Sequence, residues 1–135
     1  MKTRLKEYRV IEKEFNSFSA NFLREKLEVL SKEKKKVTIA LSGGTTPLPI
    51  LEIMKDYNLN WENFVFFMVD ERNVSIHDFS SNYGNIKKTF FDNVNSESHS
   101  MMHENYSVDD CVIEYEKLLW DEVPSRKNDF PSIDL

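Results

Sequence analysis

A three-layer α/β fold, with a mainly parallel sheet flanked by helices, is what this sequence predicts. Three observations carry that reading. Val37–Leu41, apolar but for Thr38, and Phe64–Val69, apolar throughout, are runs too short for typical helices and strongly β-prone. Strands that are apolar throughout are buried on both faces, as in a parallel sheet sandwiched by helices. Segments of helical period lie between and around them, which is the alternation of an α/β chain.

Taken in order, Tyr8, Val10 and Ile11 suggest a short first strand. Phe15, Phe18, Phe22, Leu23, Leu27 and Leu30 then recur at helical spacing, giving an amphipathic helix with an aromatic stripe turned to the core. The lysine-rich Ser31–Lys36 reads as a solvated connector to the strand at Val37–Leu41. Next, a helix starts near Pro47, with Thr46 as its N-cap and Ile50, Leu51 and Met54 as its buried face. A polar break, Asn58–Asn63 around Trp61, leads into the second strong strand. Ser80 or Ser81 caps a helix carrying Tyr83, Ile86 and Phe90, and Asn93–Glu104 reads as loop. Ser107, followed at the third position by Asp110, opens a last helix with Val108, Val112, Tyr115 and Leu119 inward. Pro124–Phe130 is a polar turn, and the sequence closes on Ile133-Asp134-Leu135.

Length and composition bound the function. The 135 residues make one domain or part of one, with 40% apolar and 30% charged residues, an ordinary globular balance. Eighteen basic against 23 acidic residues leave a net charge of −5, which disfavours nucleic acid or an anionic membrane as the main partner. Cys111 stands alone, so no disulfide and no cysteine metal cluster is expected. No run reaches the roughly 20 apolar residues of a membrane span. Met1-Lys2-Thr3-Arg4 has no apolar signal core behind it, and a cytoplasmic protein is expected.

The chemistry sits at the ends of the two strong strands. Ser42-Gly43-Gly44-Thr45-Thr46 follows the first, and two of the chain's three glycines are spent there. Such a turn aims backbone N–H groups at one point before a helix, the arrangement that receives phosphate. Asp70-Glu71-Arg72 follows the second strand. Ligands of open α/β sheets bind outside the carboxyl ends of strands, so parallel neighbours would bring both clusters to one edge.

Leu41-Ser42-Gly43-Gly44-Thr45-Thr46-Pro47 resembles the sugar-phosphate loop of the glucosamine-6-phosphate isomerase/6-phosphogluconolactonase superfamily. Asp70-Glu71-Arg72-x-Val74 is similar to the second signature of its lactonase branch, where the deaminases usually carry Asp-Glu-Tyr, and Ser81-Asn82-Tyr83 is similar to the third. The resemblance runs over essentially the whole chain. It implies a Rossmann-like fold of the lactonase and sugar-phosphate isomerase type. It implies substrate and phosphate contacts from Ser42, Gly43, Gly44, Thr45, Thr46, Asp70, Arg72 and Asn82, with no metal and no cofactor. The implied reaction is hydrolysis of 6-phosphoglucono-1,5-lactone to 6-phosphogluconate, a step of the pentose phosphate pathway.

Family members usually exceed this length and carry a later Gly-x-Gly-x-Asp-Gly-His segment, whose histidine serves hydrolysis. This sequence has no Asp-Gly-His, so it resembles the N-terminal half of a lactonase. His77, His99 and His103 read as surface-loop histidines, and Asp70 is the remaining candidate base, weakened by the neighbouring arginine. A sheet of three or four strands with an uncovered apolar edge is expected to form a homo-oligomer or to take up a complementing chain. Three readings stay open: a lactonase, a non-catalytic sugar-phosphate-binding remnant or half of a split enzyme, and a glucosamine-6-phosphate deaminase or isomerase.

Overall fold

The computed structural model describes residues 6–135; Met1–Arg4 lie outside them. The elements are α1 (Phe15–Glu33), β1 (Val37–Leu41), α2 (Pro47–Met54), β2 (Phe64–Met68), α3 (Asn82–Thr89), β3 (Glu97–Ser98), α4 (Val108–Glu122), β4 (Arg126–Lys127) and β5 (Phe130–Pro131). β1 and β2 run parallel, with Val37 opposite Phe64 and Leu41 opposite Met68. β2 pairs in parallel with the short β3. The far edge of β1 is taken by the last residues: Leu135 N–H donates to the Thr38 carbonyl at 3.2 Å, and Ala40 N–H donates to the Leu135 carbonyl at 2.8 Å. Donation to one residue and acceptance from the residue two further on is the parallel pattern. The spatial order is therefore β3, β2, β1 and then Ile133–Leu135.

Both sheet faces are covered. Val37, Ile39, Phe64, Phe66 and Met68 pack with Ala20 and Leu27 of α1, Ile50, Leu51 and Met54 of α2, and Tyr83 and Ile86 of α3. Trp61 is buried there too, 5.6 Å from the Phe64 ring and 5.1 Å from that of Phe90. Val65 and Phe67 point the other way, against Tyr115 of α4 and Val123. Hence α2 and α3 cross on one face, α4 returns on the other, and the chain regains the sheet beyond β1. β1 stands where the winding reverses.

Several sequence-based expectations are corrected. Tyr8–Ile11 forms no strand; Tyr8 lies over Phe18 and Phe22 instead, at 5.8 and 5.5 Å, because Ile133–Leu135 already holds the free edge of β1. That pairing also covers the outer side of β1. Phe15 and Phe18 stay 43% and 38% exposed, so only part of the aromatic stripe is core. Ser31–Glu33 continues α1 rather than joining the connector. Within 93–104, read as loop, lies β3. In α4 the buried face is Cys111 and Tyr115, while Val108 and Val112 are exposed. The 124–130 turn contains a hairpin of β4 and β5, whose turn residues Asn128 and Asp129 both have positive φ. Both serine caps are present: Ser81 Oγ accepts from Gly84 N–H, and Ser107 Oγ from Asp110 N–H.

Tyr115 explains the rotation of α4. β3 is too short to pair with the end of β2, which would strand the N–H and carbonyl of Met68. The Tyr115 hydroxyl accepts from that N–H and donates to that carbonyl, both at 2.9 Å. Burial pushes its phenol up to about 12, against a smaller lowering by the Met68 backbone, so the hydroxyl stays protonated at neutral pH. Tyr115→Phe leaves both backbone groups buried and unpaired; the expected cost is about 2 kcal/mol by urea denaturation.

Asp134 anchors the terminal segment. Its carboxylate pairs with Lys34 and accepts from Thr38 N–H at 2.9 Å and Thr38 Oγ1 at 3.1 Å. Burial acts to raise its pKa, but the bonds from Lys34 and Thr38 outweigh this and hold it below the ordinary carboxylate range. A depressed carboxylate stabilises the fold above its unfolded pKa, about 3.9, and that contribution is lost as pH falls through the folded value. Wild type is expected to lose stability below about pH 4. Asp134→Asn, weaker at neutral pH, should lose less on acidification; denaturation at the two pH values checks this.

Candidate functional site

Leu41 and Met68 are register partners, and Val69 N–H donates to the Leu41 carbonyl at 3.0 Å, so the two polar clusters leave the sheet side by side. Both emerge at the carboxyl end of the strands, outside β1, where ligands of doubly wound sheets bind.

Gly43 and Gly44 serve different needs. A Cβ on Gly43 would lie 1.9 Å from both Cγ and Oδ1 of Asn82, so the first loop passes directly against that side chain. Gly44 has φ +93° and open space where a side chain would stand. Ser42, Gly44, Thr45 and Thr46 are exposed. Among the described residues, no hydrogen bond engages a backbone N–H from Ser42 to Thr46, or the hydroxyls of Ser42, Thr45 and Thr46. Thr46 is not the side-chain cap expected: its backbone is already helical, at φ −66° and ψ −45°. Pro47 and Pro49 remove two donors from the first turn of α2. The unengaged N–H groups therefore lie in the loop more than at the helix end.

The second cluster is built around a residue absent from the expected set. Glu71 accepts from the N–H groups of Asn82 at 2.7 Å and Tyr83 at 2.8 Å, from Ser81 Oγ at 3.0 Å and from Arg72 N–H at 2.8 Å. Its carboxylate thus occupies the N-terminus of α3 and excludes a ligand anion there. The signal for it was the acidic residue inside Asp70-Glu71-Arg72, ten positions before a serine cap, but nothing in that spacing says which acid turns inward. Asn82 is buried; its Nδ2 donates to the Asp70 carbonyl at 3.2 Å and to Asp70 Oδ1 at 3.4 Å. Asn82 thus sits between Gly43 and Asp70 and joins the loops. Asp70 and Arg72 are exposed, and the Arg72 guanidinium makes a long 3.4 Å bond from Nη1 to the Ser80 carbonyl. Asp78 braces the following turn by accepting from Ser80 Oγ and Ser80 N–H, which hold its carboxyl below the ordinary range.

His77 and His103 are exposed, as expected of loop histidines. His99 is not one: its ring stacks on Phe67 at 5.3 Å, on the sheet face under α4. None of the three is bonded to the two loops among the described residues. A hollow of about 990 Å³ lies beside α4, lined by His99, Tyr106 and Leu118 among others; of the second cluster it meets only Tyr83, and none of Ser42–Thr46, Asp70, Glu71, Arg72 or Asn82 lines it.

Switch-point topology, a glycine loop with unengaged donors and a braced acidic-basic loop beside it define a doubly wound α/β protein with two polar loops side by side at its strand ends. The chain belongs to the glucosamine-6-phosphate isomerase/6-phosphogluconolactonase family, whose sequence pattern matches residues 12–135. It is 35% identical over 82 residues to a 6-phosphogluconolactonase of Thermotoga maritima, covering 61% of this chain and 37% of that protein. With the 6-phosphogluconolactonase of Nostoc sp. it shares 30% identity over 121 residues, 87% of this chain and 50% of that one. The crystal structure of the Thermotoga maritima 6-phosphogluconolactonase superposes with a TM-score of 0.81 at 27% identity, covering 87% of this chain and 55% of that one. The chain thus spans about half the length of the curated relatives it matches. Among the described residues, no helix is long and apolar enough to cross a membrane.

Proposed function

We propose that this chain is the sugar-phosphate-binding half of a 6-phosphogluconolactonase, acting on 6-phosphoglucono-1,5-lactone. The observation that carries the reading is the Gly43–Asn82–Asp70 junction, which fixes the two loops against each other at the switch-point crevice. The free amides and hydroxyls of Ser42, Gly43, Gly44, Thr45 and Thr46 receive phosphate and sugar oxygens. Arg72 adds a guanidinium suited to two parallel bonds to an anion. Asp70 stands at the rim, while Asn82 acts by holding the loops.

In the reaction, water adds to the lactone carbonyl and the ring C–O bond breaks; one proton of the water goes to the ring oxygen, and the other passes through the base to solvent as the carboxylate forms. A base for the water comes from outside these residues. Ile133–Leu135 runs parallel to β1 and points toward its carboxyl end, where a residue from a following segment or from a complementing chain could supply that base. A cytoplasmic setting, where sugar phosphates are made, goes with this reading, and the free, buried Cys111 agrees with it.

Two or three charge-assisted bonds at about 1.5–3 kcal/mol each, set against an association cost of at least about 4 kcal/mol, allow binding near the millimolar range. Titrating the chain with 6-phosphogluconate should give saturable binding of that order, weakened by Ser42→Ala and by Arg72→Ala. Lactone hydrolysis by the chain alone should lie near background, since general acid–base help is worth about 10²–10⁴ in rate. Absence of saturable binding, or release of ammonia from glucosamine 6-phosphate, would overturn the assignment.

A further inference from the structure

We propose that the outer face of α4 is a docking surface for a basic amphipathic helix of a partner protein, built from none of the residues of the two strand-end loops. α4 buries only Cys111 and Tyr115. Val108, Val112, Glu116 and Trp120 follow one another at four-residue steps along its outer side, with Ile113 beside them. Phe130 of β5 extends the strip, its ring 5.9 Å from that of Trp120. Val112, Ile113 and Phe130 are 60%, 61% and 66% exposed. Single apolar residues scattered over a surface need no explanation, but five in one strip mark a site of interaction.

The charge around the strip selects the occupant. α4 carries Asp109, Asp110, Glu114, Glu116, Asp121 and Glu122 against Lys117 alone, an imbalance of −5 that equals the net charge of the whole chain. Glu122 is paired with Lys36, and Asp110 accepts from Ser107 Oγ. Among the described residues, the carboxylates of Asp109, Glu114, Glu116 and Asp121 have neither a hydrogen bond nor an ion pair. A second copy meeting this strip face to face would bring like charges together, as would nucleic acid or an anionic membrane. A helix with apolar residues at three- and four-residue steps, and Lys or Arg beside them, matches both the strip and its acidic rim. The stems of those basic residues add apolar contact while their heads meet the carboxylates.

The surface is formed before any partner arrives. Ser107 caps α4 at one end, and the Tyr115 hydroxyl ties its middle to Met68. At the other end Arg126 donates to the carbonyls of Trp120, at 2.8 Å, and of Val123, and its guanidinium lies 5.5 Å over the Trp120 ring. The hairpin that carries Phe130 is thereby fixed against the helix, and little ordering is left to oppose association. The aromatic stripe of α1 differs on both counts. Tyr8 already lies over Phe18 and Phe22, and the acidic and basic residues of that helix balance.

A synthetic peptide of two Leu-Lys-Lys-Leu-Leu-Lys-Leu heptads, titrated into the purified chain and followed by amide NMR, should bind saturably, one peptide per chain, with shifts at Val112, Ile113 and Glu116. Its affinity should fall as salt is raised, because the ion pairs at the rim are exposed to screening. Val112→Gln/Ile113→Gln, at two exposed positions, should weaken binding at least tenfold by removing apolar contact. Asp109→Asn/Glu116→Gln should weaken it about threefold, and keeps the test valid should the first variant unfold. Val29→Gln, on the exposed side of α1, should change nothing, and the same peptide with Glu at every Lys should not bind. No saturable binding by wild type, equal binding of the Glu peptide, or affinity unchanged in both α4 variants would overturn the proposal. So would a wild-type dimer in sedimentation that Val112→Gln/Ile113→Gln abolishes, which would give the face to a second copy.

Discussion

Glu71→Ala is expected to destabilise the chain by about 3 kcal/mol, more than any other single truncation of a polar side chain described above. One carboxylate satisfies two amides at the N-terminus of α3, the Ser81 hydroxyl and the Arg72 amide. Alanine leaves those donors without their acceptor and removes a negative charge from the positive end of the helix. Ser81 is buried, so water cannot fully replace the carboxylate there. Glu71→Gln should recover part of the loss, since the amide oxygen still accepts while its nitrogen cannot. Urea denaturation of the three proteins checks the order. Because the crevice is braced through Asn82, Glu71→Ala should also weaken anion binding without removing any group that touches the anion.

Gly43→Ala should abolish measurable sugar-phosphate binding, a loss of at least tenfold, and cost about 2 kcal/mol of stability. The added Cβ meets three atoms of the Asn82 side chain, at 1.9, 1.9 and 2.5 Å. That side chain cannot swing aside freely, being buried and bonded to Asp70. Either the loop shifts outward or Asn82 leaves Asp70, and both separate the two clusters. In the double variant Gly43→Ala/Asn82→Ala the clash is gone, and stability should partly return while binding does not. A Gly43→Ala chain binding 6-phosphogluconate like wild type would show that the junction is irrelevant to the crevice.

The sheet and both capped helices were legible in the sequence because their signals are local. Val37–Leu41 and Phe64–Met68 are apolar at every position except Thr38, which only double burial explains, and Ser81 and Ser107 sit where an N-cap must be. What escaped depends on contacts between distant segments. β3 is two polar residues, Glu97 and Ser98, and becomes a strand only through its bonds to β2. The inward face of α4 is chosen by the need of Met68 for the Tyr115 hydroxyl, 47 residues away, while the sequence offers Val108 and Val112 as an equally periodic stripe. The glycines of the crevice were visible as glycines, but that Gly43 answers to Asn82 and Gly44 to its own φ is a property of the fold. Glu71 shows the same limit: three charged residues in a row follow β2, and only α3, arriving from the other side, decides that the middle one turns inward.

The central claim is that one anionic sugar engages both loops at once, and amide-resolved NMR of the chain titrated with 6-phosphogluconate tests it most directly. Saturable shifts should appear together at Gly43, Gly44, Thr45 and Thr46 and at Arg72, following one binding curve, with inorganic phosphate moving the glycine loop alone. Shifts confined to one loop, separate curves for the two, or a response centred on the hollow beside α4 would contradict it.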